Sequence, residues 1–261
     1  MDEPNIPTRP ACTACAFAPS SNIHHAFSMI EFGHATHVGL QRTRNEDTCY
    51  ADASLGLFLV ADGMGGHLHG EVAAALVRDT VVAMVGKGHG LAEAILHADE
   101  LLLAQANPEP EMPPMGSTIA ALRVTGNAYE AAWVGDSRIY VSGKEFRQVS
   151  HDHSLVQALV ENGQLDAAHA ARHPQRNVLT QALGITPPEQ LLIGMAKGLF
   201  TPGTGLLLCS DGLTESLDNA AIARTVMRAE LGAQECIDHL VIDALDRGGK
   251  DNITAILVRS S

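Results

Sequence analysis

The sequence predicts a layered α+β fold rather than a doubly wound one. Three observations favour it: apolar runs cluster within residues 117–143, two helical patterns stand side by side within residues 70–106, and strand and helix do not alternate strictly. Strands grouped apart from paired helices pack as sheets covered by helices. The chain has 261 residues, of which 46% are hydrophobic, so it can bury one large core or two modest ones.

The first half of the chain begins with a strand and continues with two helices. Residues 55–61 form an unbroken apolar run that ends at Asp-Gly, which predicts a buried strand. Residues 70–85 and 91–106 are rich in Ala and Leu and are separated by glycines, which predicts two helices. Residues 107–116 contain four prolines and are predicted to form a loop, because proline cannot take part in regular backbone pairing.

The second half of the chain is richer in strands. Residues 154–163 form a helical pattern that Gly163 ends, and the apolar positions from Cys236 to Leu245 lie on one face of another helix. The remaining apolar runs are predicted strands, and they cover residues 117–125, 128–136, 138–143, 191–196, 205–211 and 252–259.

The charge balance bears on the class of partner. Thirty acidic and 17 basic residues give a net charge of −13. Nucleic acids and anionic membranes are bound by clustered Lys and Arg, so we expect neither partner. The longest apolar runs are also too short to span a bilayer. An excess of carboxylates is typical of a site for several cations, and equally of a solvated acidic surface.

The N-terminal residues differ in composition from the rest. Residues 1–28 are rich in Pro, Ala, Ser and Thr and lack periodicity, so we expect a flexible extension before a single domain of residues 29–261. Cys12 and Cys15 form a CxxC pair, but one such pair is a weak indication of zinc, and a coincidence in the extension is favoured. The five cysteines lack framework spacing and no convincing signal peptide is found, which together predict a reducing cytoplasm.

Five aspartates occupy similar positions beside predicted strands. Asp62 and Asp211 each end a strand and precede a glycine, and the other three are Asp47, Asp136 and Asp251. A single Asp-Gly is most often a turn. Several carboxylates that converge from strand ends, however, form a site for hard cations such as Mg²⁺ or Mn²⁺, which take oxygen ligands.

Other hydrolytic and nucleotide-binding chemistries lack their motifs. None of the cysteines begins a Cys-x5-Arg motif, and the chain contains no Walker loop, GxSxG elbow or HExxH helix. Residues 67–72 resemble the HxHxDH motif of binuclear zinc hydrolases only in part, because Glu71 and Val72 replace its last two residues. The carboxylates remain as the best candidates for a site.

Taken together, eight motifs resemble the metal-dependent protein phosphatases of type 2C, the PPM family, in their short bacterial form. They follow the order of the family from about residue 33 to the C-terminus. Each is short, but eight in register are specific. They are GLQRTRNED (39–47), VADGMGGHLHGE (60–71), GST (116–118), WVGDSRIY (133–140), HDHSLVQALVENG (151–163), RNVLTQALG (176–184), LCSDGLTE (208–215) and KDNITAILV (250–258).

The resemblance implies both a fold and an activity. The fold is a four-layer α-β-β-α sandwich, in which two mainly antiparallel sheets are flanked by helix pairs and the site lies at one end. The activity is that of a protein-serine/threonine phosphatase with two Mn²⁺ or Mg²⁺ ions per site and room for a weaker third ion. Two such ions about 3.5–4 Å apart can share a water molecule, lower its pKa and make it a nucleophile.

The resemblance also assigns roles to single residues. Asp62 matches the carboxylate that bridges the two ions, and Arg42 matches the arginine that grips the substrate phosphate with forked hydrogen bonds. The other metal positions are the carbonyl of Gly63 on one ion, Asp211 and Asp251 on the other, Asp47 acting through water on the Gly63 side, and Asp136 for the third ion.

Three further assignments stay open. Asn252 can orient Asp251 or cap the turn beside it. Longer eukaryotic members have a histidine general acid where this chain has Met64, so His67 or His69 could protonate the leaving group, although neither inherits that role by position. Residues 151–184 resemble the mobile flap beside the substrate entrance of bacterial members, and we call them the flap segment.

The leading prediction is a cytoplasmic, monomeric enzyme that hydrolyses phosphoserine and phosphothreonine in proteins and opposes a bacterial Ser/Thr kinase. One alternative is a pseudophosphatase that binds phosphoproteins without hydrolysis. The presence of every expected metal ligand and of Arg42 disfavours it. A second, weaker alternative is hydrolysis of a small phosphorylated metabolite.

Overall fold

The computed structural model describes most of the chain, namely residues 30–65, 69–105, 115–170 and 172–260. The predicted N-terminal extension, with Cys12 and Cys15, lies outside these residues. So do His67 and most of the predicted loop 107–116. Among the described helices, none combines the length and the apolar character needed to cross a membrane.

The first of two sheets contains both the first and the last strand of the fold. Its five antiparallel strands lie in the order β1-β11-β10-β7-β8. The strands are β1 (Ile30–His37), β7 (Arg138–Ser142), β8 (Phe146–Gln148), β10 (Gly205–Cys209) and β11 (Ile253–Ser260).

The second sheet lies against the first and is also antiparallel. Its main strands follow the order β2-β3-β5-β6-β9, and the short β4 pairs with the end of β3. The strands are β2 (Asp47–Asp52), β3 (Leu57–Met64), β4 (Gly116–Ser117), β5 (Ile119–Thr125), β6 (Ala128–Val134) and β9 (Gly194–Leu199).

The inner strands of each sheet are buried on both faces, which explains their apolar sequences. In β3, Val60 points into the layer between the sheets, where it packs in the same cluster as Ile256 of β11. Leu59 points the other way, into the cluster beneath the outer helices. Successive side chains of a strand face opposite sides, so a strand covered on both faces reads as an unbroken apolar run.

Helices cover both outer faces. α1 (His69–Gly86) and α2 (Leu91–Ala104) pack on the second sheet. α6 (Asn219–Val226) and α7 (Ala233–Asp246) pack on the first, together with the short α5 (Asp211–Ser216). The predicted four-layer α-β-β-α sandwich is therefore confirmed.

Two further short helices belong to the flap segment, which connects β8 to β9. They are α3 (Leu155–Glu161), which is N-capped by the side chain of Ser154, and α4 (Ala167–Ala170). The predicted end of α3 is also found, because Gly163 adopts a positive φ of 69° just after it.

Most predicted elements are found within a few residues of their expected bounds. The strand predicted over residues 191–196 is displaced and runs from Gly194 to Leu199 as β9. The sequence patterns do not predict the strands β1, β2 and β8 or the helices α4, α5 and α6.

Candidate metal centre and phosphate-binding arginine

The predicted aspartates lie at one end of the sandwich. Asp47 at the start of β2 and Asp62 near the end of β3 are direct partners in the antiparallel register of the second sheet. Asp211 follows β10, and Asp251 precedes β11, in the first sheet. Each sheet therefore supplies two of the acids.

Ser210 joins the two pairs of acids. Its hydroxyl donates a 2.7 Å hydrogen bond to Oδ2 of Asp47 and accepts one of 3.0 Å from the backbone N–H of Thr254. Ser210 is fully buried, so this contact ties the second sheet to the first directly beside Asp211. Ser210 is not among the predicted site residues. Its only signal in the sequence is that a polar residue directly follows the apolar strand β10.

Asn252 contacts both Asp251 and the loop that carries Arg42. Its backbone N–H donates to Oδ1 of Asp251 at 2.8 Å, which orients that carboxylate. Its side-chain amide donates to the carbonyls of Val38 and Arg44 and accepts from the N–H of Glu46, at 2.8–2.9 Å. The 5% exposed side chain thus holds the loop that carries Arg42.

Two glycines permit the close backbone contacts of the site. A Cβ atom on Gly63 would overlap the carbonyl oxygen of Gly70, so the end of β3 meets the first turn of α1 backbone to backbone. A Cβ atom on Gly212 would overlap the carbonyl oxygen of Asn252 in the same way. The glycine after each of Asp62 and Asp211 is therefore required by packing.

The acids form one electrostatic cluster. Burial raises the pKa of Asp62 well above its ordinary value, and the negative charges of Asp47, Asp211, Asp136 and Asp251 raise it further. The pKa of Asp211 is likewise raised, by burial and then by Asp136, Asp251, Glu215 and Asp47. Burial raises the pKa of Asp47 to about 6, although the hydrogen bond from Ser210 opposes the shift.

Asp136 lies at the side of this cluster, in the turn between β6 and β7. Burial raises its pKa to about 7, the charge of Asp152 adds to the shift, and Arg138 opposes it. Asp136 and Asp211 line the same cavity. The structure thus places the residue predicted for a third ion next to the principal acids.

Arg42 reaches the cluster from its exposed side. Its Nη2 donates to Oδ2 of Asp251 at 2.6 Å, while 52% of the side chain remains exposed. The guanidinium can therefore contact a ligand from solvent while it stays next to a cluster of carboxylates.

The donor set fits hard divalent cations. Oδ1 of Asp47 is buried and lacks a hydrogen-bond partner among the described residues, and a buried carboxylate oxygen is costly unless it is paired or binds a cation. In the part of the chain that the structure describes, no three His, Cys, Asp or Glu side chains are arranged to hold one ion by themselves. Mg²⁺ in particular keeps several waters and takes only one or two carboxylates, and backbone carbonyls such as that of Gly63 add to such a set.

Of the two histidines considered as proton donors, His69 lies within the described residues and His67 does not. His67 lies outside the described residues, so its predicted part as a proton donor stays a prediction. His69 is the first residue of α1.

Comparison with known proteins identifies the family. The model of the protein phosphatase 2C family matches residues 40–236, which is more than half of the chain. Protein phosphatase PhpP of Streptococcus pneumoniae is 34% identical over 88% of this chain and 97% of its own length. Serine/threonine protein phosphatase PstP of Mycobacterium tuberculosis is 34% identical over 84% of this chain, which spans only 43% of that relative.

A solved structure agrees with these relatives. The catalytic domain of the phosphatase PstP, in complex with two manganese ions, superposes with a TM-score of 0.78 at 30% identity, covering 88% of this chain and 97% of that one. The matched family model, the relatives and the shared fold confirm the predicted resemblance. The chain belongs to the protein phosphatase 2C family.

Proposed function

We propose that this chain hydrolyses phosphoserine and phosphothreonine esters in proteins, with two Mn²⁺ or Mg²⁺ ions as cofactors and room for a weaker third. The observation that carries the proposal is the cluster of mutually repelling aspartates, which includes the buried and unpartnered Oδ1 of Asp47, beside the half-exposed side chain of Arg42. The relatives named as serine/threonine phosphatases, and the manganese ions of one of them, support it.

The metal ligands are proposed as follows. Asp62 would be the ligand shared by the two ions, because the charges of the four other acids all act on it. The carbonyl of Gly63 and, through water, Asp47 would serve the ion on the side of the second sheet. Asp211 and Asp251 would serve the ion on the side of the first sheet, and Asp136 the weaker third ion.

The ions, when bound, supply an activated water for in-line attack on phosphorus. The chain itself binds and orients the ester. Arg42 can donate two parallel hydrogen bonds to phosphate oxygens and so offset the charge that develops in the transition state. Asn252 positions the loop of Arg42 and, through its N–H, the carboxylate of Asp251, so the phosphate-binding group and a metal ligand share one support.

The natural partners proposed for the enzyme are phosphorylated proteins, among them a bacterial Ser/Thr kinase and its substrates. We further propose that it works as a monomer in a reducing cytoplasm. The three cysteines within the described residues, Cys49, Cys209 and Cys236, are free, and free thiols are typical of proteins in that compartment.

The decisive experiment is a metal-titrated assay on a phosphothreonine peptide. We expect hydrolysis that requires Mn²⁺ or Mg²⁺ and is abolished by Asp62→Asn or Asp211→Asn. Asp166→Asn, in the exposed part of the flap segment, is a matched control that should keep full activity. Wild-type turnover by Asp62→Asn would refute the assigned site, and tight phosphopeptide binding without hydrolysis by the wild type would identify a pseudophosphatase.

A further inference from the structure

A cavity of about 420 Å³ lies between the flap segment and the core. Residues of α3 and α4 form its flap side, and residues of α5 form its core side. Asp136 and Asp211 line it as well, so the cavity opens directly from the aspartate cluster. When the phosphorylated side chain of a peptide is bound at the aspartate cluster, the residues on either side of it in the peptide lie next to this cavity.

Backbone hydrogen bonds attach both ends of the flap segment to the core. Near its start, the N–H of His153 donates to the carbonyl of Gly135 at 2.9 Å. Near its end, Leu183 and Ser117 exchange two backbone hydrogen bonds of 2.9 and 3.1 Å. Neither attachment depends on the identity of a side chain.

The middle of the flap segment is attached differently. Among the described residues from Leu155 to Asn177, the hydrogen bonds that leave the flap segment all end on one carboxylate oxygen, Oε1 of Glu215. Nδ2 of Asn177 donates to it at 2.6 Å, and Nη2 of Arg176 at 3.4 Å. The side chain of Glu215 is only 15% exposed, whereas that of Arg176 is 41% exposed.

Glu215 also lies on the element that carries a proposed metal ligand. It follows Asp211 by four residues on α5, and residues four apart share one face of a helix. The charge of Glu215 contributes to the raised pKa of both Asp136 and Asp211, so its carboxylate lies near the cluster. One side chain thus connects the cavity wall to the helix of the site.

We propose that Glu215 is a positioning residue that holds the flap segment, through Asn177 and Arg176, as the wall of a cavity that receives the residues flanking a phosphorylated serine or threonine. The proposal rests on the proposed function. Recognition of a peptide then depends on the contact between Glu215 and Asn177. A small phosphate ester does not fill the cavity, so its hydrolysis does not depend on that contact.

The test compares two substrates in variants of the full chain loaded with Mn²⁺. For Asn177→Ala we expect the KM of a phosphothreonine peptide to rise by roughly five- to tenfold, as the loss of a charge-assisted hydrogen bond implies. The kcat and KM for p-nitrophenyl phosphate should stay within about twofold, because binding energy remote from the reacting group is used only by the larger substrate. Arg172→Ala, which removes an exposed flap arginine without a described ion pair, is the matched control.

Hydrogen exchange and a conservative variant separate positioning from a general structural effect. Exchange of residues 155–178 should be faster in Asn177→Ala than in the wild type or in Arg172→Ala. Glu215→Gln retains an acceptor for Asn177 and should keep most of the peptide affinity. Glu215→Ala should raise the peptide KM about as much as Asn177→Ala does. Combining Glu215→Ala with Asn177→Ala should raise the KM little further, because both substitutions remove the same contact.

Two results would overturn the proposal. One is that Asn177→Ala changes neither the peptide KM nor the hydrogen exchange of the flap segment. The other is that Asn177→Ala lowers kcat/KM equally for the peptide and for p-nitrophenyl phosphate. If the wild type hydrolyses only p-nitrophenyl phosphate, the protein-phosphatase proposal fails. The exchange measurement still decides whether Glu215 holds the flap segment.

Discussion

At the scale of single residues, Arg42 has two possible partners. In the structure it is paired with Asp251, a proposed metal ligand, and in the proposed reaction it binds the substrate phosphate. The Arg42 side chain of this ion pair is half exposed, and ion pairs that solvent reaches contribute little to stability. Arg42 can therefore leave Asp251 for a phosphate at small cost, which suits a residue that must bind and release its ligand.

Replacing Arg42 tests that assignment. We expect Arg42→Ala to lower kcat/KM for a phosphothreonine peptide by about 100-fold, since a preorganised charged donor to the transition state is lost. Arg42→Lys should recover only part of the activity, because an ammonium cannot form the forked pair of hydrogen bonds. Steady-state kinetics at saturating Mn²⁺ measures both effects.

The affinity for Mn²⁺, measured by calorimetry, provides the control for Arg42. It should not fall in Arg42→Ala, because the substitution removes a positive charge that competes for Asp251. A variant that loses Mn²⁺ binding along with activity would show that Arg42 supports the metal centre rather than the phosphate.

At the scale of elements, the strands that carry acids could be predicted and the loop contacts could not. Asp62 and Asp211 each follow an apolar run because the scaffold buries β3 and β10 on both faces. By contrast, β1 contains Gly33, and a Cβ atom there would overlap the backbone of Gln234 in α7. Gly33 interrupts the alternation of apolar and polar residues that would predict a strand. It is needed because α7, about 200 residues later in the chain, packs directly against it.

The same limit applies to the site. The aspartates could be found from their positions, but Ser210 and Glu215 bind groups far away in sequence, which no local pattern shows. The strand β9 is another example. Gly194 and Gly198 lie directly against the rings of Trp133 and Tyr129. The glycines of β9 are therefore explained by large side chains of the neighbouring strand β6, which the sequence of β9 alone does not show.

The loop that carries Arg42 depends on one amide. Asn252→Ala would leave the partly buried backbone groups that it binds on Val38, Arg44 and Glu46 without their partner. We expect a loss of about 2–3 kcal/mol in the free energy of unfolding, measured by urea denaturation of the metal-free protein. The catalytic effect should appear as a lower kcat/KM, because the loop positions the phosphate-binding group.

A matched substitution gives the comparison for Asn252. Asn127 lies exposed in the turn between β5 and β6, far from the loop in sequence, and Asn127→Ala should change the free energy of unfolding by much less. Similar losses in both variants would mean that the three hydrogen bonds of Asn252 do not hold the loop.

At the scale of the whole molecule, the two sheets assemble a site that neither contains alone. The apolar layer between them brings the ends of β2 and β3 next to those of β10 and β11, and so forces like charges together. Hydrophobic burial thus offsets an electrostatic cost at the site. Such a compromise between packing and charge is expected where function, rather than stability, determines the residues.

This cost predicts how the stability of the metal-free protein depends on pH. Asp47 and Asp136 have folded-state pKa values of about 6 and about 7, above the ordinary 3.8, and those of Asp62 and Asp211 are also raised. Between pH 4 and 7 the folded protein therefore binds more protons at these groups than the unfolded chain does, so its free energy of unfolding falls as pH rises. His153 acts in the opposite direction, because burial lowers its pKa. Asp52 and Glu230 also act in that direction, but their lowered pKa values affect stability mainly below pH 5.

Calorimetry in a chelating buffer checks this prediction. The Tm should fall from pH 5 to pH 7 in EDTA, and Mn²⁺ at pH 7 should raise it again, because an ion that binds only the folded state stabilises it and relieves the repulsion among the aspartates. Asp62→Asn removes the charge at the centre of the cluster, so its Tm should depend less on pH and respond less to Mn²⁺. A Tm that rises from pH 5 to pH 7 in EDTA would mean that the aspartates do not repel one another in the folded protein, and the argument for a multi-cation site would lose its physical basis.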